Sequence, residues 1–265
     1  MTSELQELNA YLDAYTDYIK DLKARSDEKK LRVLSELRKI DMSVLDEADV
    51  FFINNEAEML LPQYKDYYMD FGILNSANRP AFHHRWIIPI KNAEGQVVNI
   101  VGYTNDEQIR YLYGTAKYYN RTDDLYGMEN LNSAYDLGYA ILTEGITDTL
   151  AVKGLGLKNV FAWCGTSRSK KKQQILNRCR YGVIRIPDRD AAGKKTDEVQ
   201  VFNNTLTLYV PLGFKDAAEY LATEQDYGNM SQHEYMLKTI EHCIGLIKKQ
   251  EHKGRVLKQE PVNMS

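Results

Sequence analysis

Four carboxylates stand out by their settings: Glu144 in EGITD, Asp188 and Asp190 in PDRDAAG, and Asp216 in PLGFKDAAEYL. Each follows a short apolar run and precedes a stretch of helical character. Carboxylates brought to one place repel and raise one another's pKa unless cations neutralise them. Hard oxygen ligands select Mg2+ or Mn2+ over zinc. A cluster holding one or two such ions can activate an attacking oxygen and stabilise a leaving group, which is the apparatus of phosphoryl transfer. Taken singly, each acid would serve as well as a cap for the helix behind it. Taken together and in this order, they predict a divalent-metal site. No zinc is expected, because Cys164, Cys179 and Cys243 are scattered, odd in number and form no CxxC.

The elements that must position these acids alternate in type. The runs at 139–143, 159–163, 181–186 and 206–210 read as strands. ITDTLAVKGLG (146–156), 167–180, AAGKKTDEVQVFNN (191–204) and DAAEYLA (216–222) read as helices. Alternation of this kind predicts an α/β fold with a parallel sheet flanked by helices. In such sheets the working residues lie just past the carboxyl ends of the strands. Ahead of it, RWIIPI and QVVNIVGY flank the turn cluster KNAEG and predict a β-hairpin over 85–103. A helix is expected over Met128–Leu137. The first 45 residues read as helical, with Leu5, Leu8, Leu12, Tyr15, Ile19 and Leu22 on one face. That stripe is expected to pack on its own domain; a coiled coil is the competing reading, for which three heptads are barely covered. The chain thus divides into a mixed α+β part (1–135), the parallel-sheet domain (136–225), and a C-terminal helix with a basic tail (226–265).

Composition narrows the class further. The chain has 265 residues, 43% hydrophobic and 27% charged, which excludes wholesale disorder. No apolar run approaches the ~18–20 residues of a membrane span, and the N-terminus lacks the basic-then-apolar pattern of a signal peptide. A cytoplasmic protein with no membrane partner is expected. The net charge of −3 conceals segregation. Thr149 to Pro187 holds nine Lys and Arg and no acid, and Phe71–Ala93 and Gln108–Thr122 are also free of acids. Such windows suit a basic trough for a polyanion, the alternative being chance clustering on solvated faces. On the trough reading, Arg79, Arg110, Arg168, Lys170, Lys171 and Lys172 are the candidate nucleic-acid contacts.

EGITD followed by DRDAAG resembles the TOPRIM signature, an E-G-x-x-D and a D-x-D-x-A-G shared by topoisomerases, primases, some nucleases and recombination-associated proteins. The flanking segments resemble the RNA-polymerase core of bacterial and phage DnaG-type DNA primases. RWIIPIKNAEGQVVNIVGY matches their P-I hairpin, and AKYYN (116–120) and LYG (125–127) their K-Y-x-N and L-Y-G elements. FAWCGTS (161–167) matches their A-x-x-G-T-S, and 37–54 more weakly an N-terminal core helix. The resemblance implies that Glu144, Asp188 and Asp190 are catalytic. It implies that these three and Asp216 hold Mg2+ or Mn2+. Asp148 would hold basic neighbours rather than a metal. Lys117, Tyr118, Asn120, Arg85 and Arg121 would contact the nucleotide, with Tyr118 and Tyr119 open to base stacking or to ordinary packing.

The implied activity is synthesis of short RNA primers on single-stranded DNA from ribonucleoside triphosphates. A TOPRIM nuclease and a non-catalytic single-strand-binding replisome component are the alternatives. Departures from the family pattern are Ile146 in place of an aromatic, RTDD leaving only Arg121 as a cation before L-Y-G, and Asp216-Ala217-Ala218 in place of D-P-D. The family's zinc ribbon and large helicase-binding domain have no counterpart in the sequence. A complete product is expected, as from a phage or mobile element, whose partners include a replicative helicase and a separate template-recognition module.

Overall fold

The computed structural model describes residues 3–105, 109–165, 169–189, 202–223, 226–227, 230–251 and 262–264. They form two compact units, Met1–Leu37 with Asp41–Tyr119, and Arg38–Ile40 with Asn120–Ser265. The division falls earlier than the boundary expected after residue 135.

The first unit opens with α1 (Ser3–Lys23), α2 (Glu28–Arg38) and α3 (Met42–Glu47). Its antiparallel sheet has the order β1 (Phe51–Phe52), β2 (Trp86–Lys91), β3 (Val97–Tyr103), β4 (Tyr111–Tyr113). The predicted hairpin forms, closed by Asn92, whose side-chain oxygen accepts the Gln96 N–H at 2.8 Å. The apolar stripe of α1 buries Tyr11, Leu12, Tyr15, Tyr18, Ile19 and Leu22 in this unit's own core, as its spacing predicts. Leu5, at the start of the stripe, stays 43% exposed. A phenol costs free energy to bury unless its hydroxyl is paired. Here Tyr11, Tyr15 and Tyr18 donate to the carbonyls of Asp70, Phe71 and Met59 at 2.8, 2.9 and 3.0 Å. Gly72 lets the chain cross close to this core. Its φ is +66°, and a Cβ there would lie 2.3 Å from the Thr115 carbonyl carbon.

The second unit contains α4 (Leu131–Leu137), β5 (Tyr139–Thr143), α5 (Ile146–Lys153), β6 (Val160–Ala162), α6 (Lys170–Leu176) and β7 (Gly182–Ile186). There follow β8 (Thr205–Tyr209), α7 (Ala217–Ala222), the short antiparallel pair β9 (Asp226–Tyr227) and β10 (Met230–Ser231), α8 (Gln232–Glu251) and β11 (Val262–Asn263). The main sheet is parallel with order β11-β8-β7-β5-β6. Every residue of β5, β6 and β7 is buried, as expected where helices cover both faces. β8 alternates between buried and half-buried positions.

From β5 the chain passes to β6 on one side and then to β7 on the other. Right-handed crossovers send the helices of such a reversal to opposite faces. A crevice opens at that point beyond the strand carboxyl ends, where Glu144 follows β5 and Asp188 follows β7. The LYG element docks on the outer edge of this sheet. Tyr126 and Ala162 exchange backbone hydrogen bonds at 3.2 and 3.0 Å, and a Cβ on Gly127 (φ +94°) would lie 2.6 Å from the Val160 oxygen.

The α/β class with a mixed, hairpin-bearing first part is the one the sequence predicts. Two elements differ. The helix expected over 191–204 lies outside the described residues except for 202–204, which are not helical. The C-terminal segment, expected only as a tail, contributes β11 beside β8. Among the described residues no helix is long and apolar enough to cross a membrane.

Candidate metal centre

Three aspartates converge at the carboxyl edge of the parallel sheet. Asp148 sits in the first turn of α5, Asp188 just past β7, and Asp216 at the N-cap of α7. One carboxylate oxygen from each lies within 4.8 Å of the other two. Local chemistry fixes two of the three. Asp216 accepts the Glu219 N–H at 2.7 Å, the expected cap. Asp148 accepts the Ala218 N–H at 3.0 Å, which ties α5 to the start of α7. Asp148 is only 5% exposed. Its burial, then the charge of Asp216, then that of Asp188, push its pKa well above the ordinary carboxylate range, against the pull of the Ala218 N–H. Like charges at this spacing are what a bound cation relieves, and a set of carboxylate oxygens fits a hard divalent ion.

Glu144 flanks this group without joining the three. It is half-buried, and its Oε1 accepts the backbone N–H of Asp188 at 3.2 Å. Its carbonyl accepts the Cys164 N–H at 3.1 Å, which joins the ends of β5 and β6. Asp190 lies outside the described residues. Asp148 requires a correction. Expected to hold basic neighbours, it faces two acids instead and supplies the third carboxylate of the cluster. At the altered D-A-A motif, Ala218 contributes a backbone N–H where the family pattern has a second acid.

The candidate cations divide between the units. In the first, Arg79 is exposed, Arg110 is half-buried, and Arg85 donates from Nη1 to the Ile109 carbonyl at 2.9 Å. Lys117 is not free of acids in space: its Nζ is 3.6 Å from both Glu7 and Asp70. Its hydrogen bond to Tyr118 and the charge of Asp70 raise its pKa. Tyr118 is 40% exposed and meets Tyr11 edge-on. In the second unit, the Asn120 side chain is engaged by the Thr122 N–H and by Asp123, both at 3.0 Å. Arg121 donates from Nε to the Cys164 carbonyl at 3.2 Å.

Lys170 and Lys171 are exposed, the latter 3.4 Å from Asp124. Arg168 lies outside the described residues. Lys172 is the second correction. It is 2% exposed, donates to the carbonyls of Trp163 and Arg121 at 2.6 and 2.9 Å, and lies over the Trp163 ring. Burial lowers its pKa. Its ammonium holds the loop after β6 and is withdrawn from any polyanion.

The sequence reading passed over Arg189 and Lys215. Arg189 donates its backbone N–H to the Lys215 carbonyl at 2.7 Å and its Nε to the Val210 carbonyl at 2.5 Å. It straps both ends of the β8–α7 connection to the loop that carries Asp188. The available signal was position, since one residue separates Asp188 from Asp190 and the other precedes Asp216.

Comparison with known proteins agrees with this architecture. Residues 141–221 match the Toprim-like family. A DNA primase of Aquifex aeolicus is 28% identical over 158 residues, 58% of this chain and 30% of that protein. One from Staphylococcus aureus strain MSSA476 is 30% identical over 158 residues, 56% of this chain and 25% of that protein. The matched region therefore spans less than a third of either relative. Among solved structures, the zinc-binding and RNA polymerase domains of Aquifex aeolicus primase superpose with a TM-score of 0.70 at 23% identity, covering 92% of this chain and 62% of that one. A DnaG primase catalytic domain bound to single-stranded DNA gives 0.69 at 18% identity, covering 90% and 82%. The chain carries a Toprim-like domain within the fold of a DnaG-type primase catalytic core.

Proposed function

We propose that this chain is the catalytic core of a DNA primase, which joins ribonucleotides on a single-stranded DNA template with release of pyrophosphate. The observation that carries the reading is the extent of the similarity. The 158 residues shared with DNA primases exceed the Toprim-like segment 141–221, and the acidic triad lies at the centre of that segment. Asp148, Asp188 and Asp216, with Asp190, would hold Mg2+ or Mn2+. Bound there, such ions supply charge neutralisation at the transferring phosphoryl group and lower the pKa of an attacking hydroxyl. Glu144 is oriented by the Asp188 N–H. In this reading its carboxylate accepts the proton of the primer 3′-hydroxyl. Arg85, Lys117, Tyr118, Asn120 and Arg121 would contact the nucleotide, and Arg79, Arg110, Arg168, Lys170 and Lys171 the template. Lys172 would act only by fixing the loop after β6. The reading implies ribonucleoside triphosphates as substrates. Its partners would be a replicative helicase and a separate template-recognition module, in the bacterial cytoplasm or that of a phage host.

The test is direct. Purified protein with single-stranded DNA, the four ribonucleoside triphosphates and Mg2+ or Mn2+ should make short RNA. Glu144→Gln and Asp188→Asn should abolish synthesis while single-strand binding persists. No RNA, even with a zinc-binding primase module supplied in trans, would reject the reading. Metal-dependent strand cleavage without nucleotides would replace it by a nuclease.

A further inference from the structure

The β8–α7 connection walls a cavity of about 570 Å3 that opens beside the acidic triad. Asp188 stands at its inner end, Lys215 and Arg189 on its sides, and Tyr209 and Phe214 complete the wall. The two cations have different tasks. Arg189 is spent on structure, with Nε on the Val210 carbonyl and the guanidinium 5.2 Å from the Tyr209 ring centre. Lys215 has a fixed backbone and a side chain in reach of water. Its N–H donates to Glu219 at 2.6 Å and its carbonyl accepts from Arg189, yet the side chain is 46% exposed. Its Nζ approaches the Asp188 carboxylate to 3.9 Å, an attraction without a hydrogen bond.

A lysine so placed answers the negative charge of the triad while that charge is uncompensated. Once a divalent ion takes over that task, the attraction of Asp188 for Nζ is cancelled. The ammonium then lies on the rim of a cavity whose inner end is a bound cation. Two positive centres a few ångströms apart, with open volume between them, suit a chain of phosphates. We propose that this cavity is a polyphosphate subsite and that Lys215 is its anion ligand, exchanging Asp188 for a phosphate oxygen when the metal binds. The shared chemistry is that of an incoming triphosphate or of released pyrophosphate. The proposal rests on the metal site and nucleotide chemistry of the preceding section.

The exchange gives Lys215 opposite effects on two ligands, which a structural role would not. Lys215→Met removes a competitor for Asp188, so Mn2+ alone, followed by its electron paramagnetic resonance signal, should bind several-fold more tightly. Pyrophosphate and ATP, titrated calorimetrically at saturating Mn2+, should bind about tenfold more weakly, the size of one partly exposed charge-assisted hydrogen bond. Lys215→Arg should restore the anion affinity. An effect on both anions assigns the subsite to the phosphates themselves, and an effect on ATP alone assigns it to the incoming nucleotide. Unchanged binding of both anions would overturn the proposal. So would weaker Mn2+ binding, because Lys215 would then be supporting the triad rather than competing with the metal. These are binding measurements, so they stand whether or not the protein makes primers. Primer synthesis with unchanged anion binding in Lys215→Met would remove this inference and leave the primase reading intact.

Discussion

Asp49 in the first unit and Asp148 in the second are both carboxylates drawn out of water, and their surroundings are opposite in sign. Asp49 places one oxygen 2.7 Å from Lys23 Nζ on α1 and the other 2.5 Å from Lys91 Nζ on β2. Burial works against its ionisation, but the hydrogen bonds and charges of the two lysines outweigh it and hold its pKa below the ordinary value. Asp148 is more deeply buried and faces Asp216 and Asp188 instead of lysines, so its pKa is driven up. The first arrangement is complete within the protein. The second is complete only with a cation from outside, which is the mark of a site kept for function at a cost in stability.

The largest effect should come from breaking the acidic side. Asp188→Asn should lower primer synthesis by about 10³-fold, since several kcal/mol of charge stabilisation at the phosphoryl group depend on the metal it helps to hold. The same change should raise the metal-free unfolding midpoint, because it removes a like charge facing Asp148. Loss of synthesis together with lower metal-free stability would mean that Asp188 is a structural group.

On the other side of the comparison, Tyr15 is fully buried, stacked on Phe71 at 4.3 Å, with its hydroxyl paired. Tyr15→Ala should cost about 3–5 kcal/mol in urea unfolding, the range for emptying a large aromatic site. Tyr15→Phe should cost only about 1 kcal/mol, the net worth of one buried hydrogen bond. Equal losses for the two variants would show that the hydroxyl, and not the ring, anchors α1.

What the sequence made legible follows from how local each feature is. The strands at the site are short apolar runs, and topology alone puts the residue after each of them at one edge, so Glu144, Asp188 and Asp216 could be read directly. Asp148 could not. Its role depends on α5 packing against α7, a contact between residues 70 positions apart. Lys172 lies in a run of three lysines that reads as a solvated face, yet tertiary contacts with Trp163 and Arg121 bury the third of them. Lys117 looked free of acids because Glu7 and Asp70 are remote in sequence and near only in space. β11 is two residues long, below what periodicity can register.

A smaller effect tests the lysine-paired side. Asp49→Asn should cost about 1 kcal/mol at neutral pH, since the pair is partly exposed and solvent screens it. The backbone should not suffer, because Asp49 has φ +54° and asparagine tolerates that region as well as aspartate does. Urea midpoints at low and high salt would check it, the difference from wild type shrinking as salt rises.

The smallest shifts, a few degrees of melting temperature, should distinguish the two aspartates by pH. At Asp49 the folded pKa is depressed. Its stabilisation is therefore present above the unfolded value of ~3.9 and is lost as pH falls through the lower folded value. At Asp148 the folded pKa is raised, so the native state holds a proton that the unfolded chain releases first. Stability of the metal-free protein should then fall as pH rises from about 4, because the unfolded state binds fewer protons over that window. Asp49→Asn should flatten the acid limb of the melting profile, and Asp148→Asn the limb above it. Magnesium separates the two most sharply. It should raise the melting temperature at pH 8, where the Asp148 charge needs compensation, and change it little at pH 5. A rise of equal size at both pH values would place the bound ion elsewhere and remove the basis for setting these two carboxylates against each other.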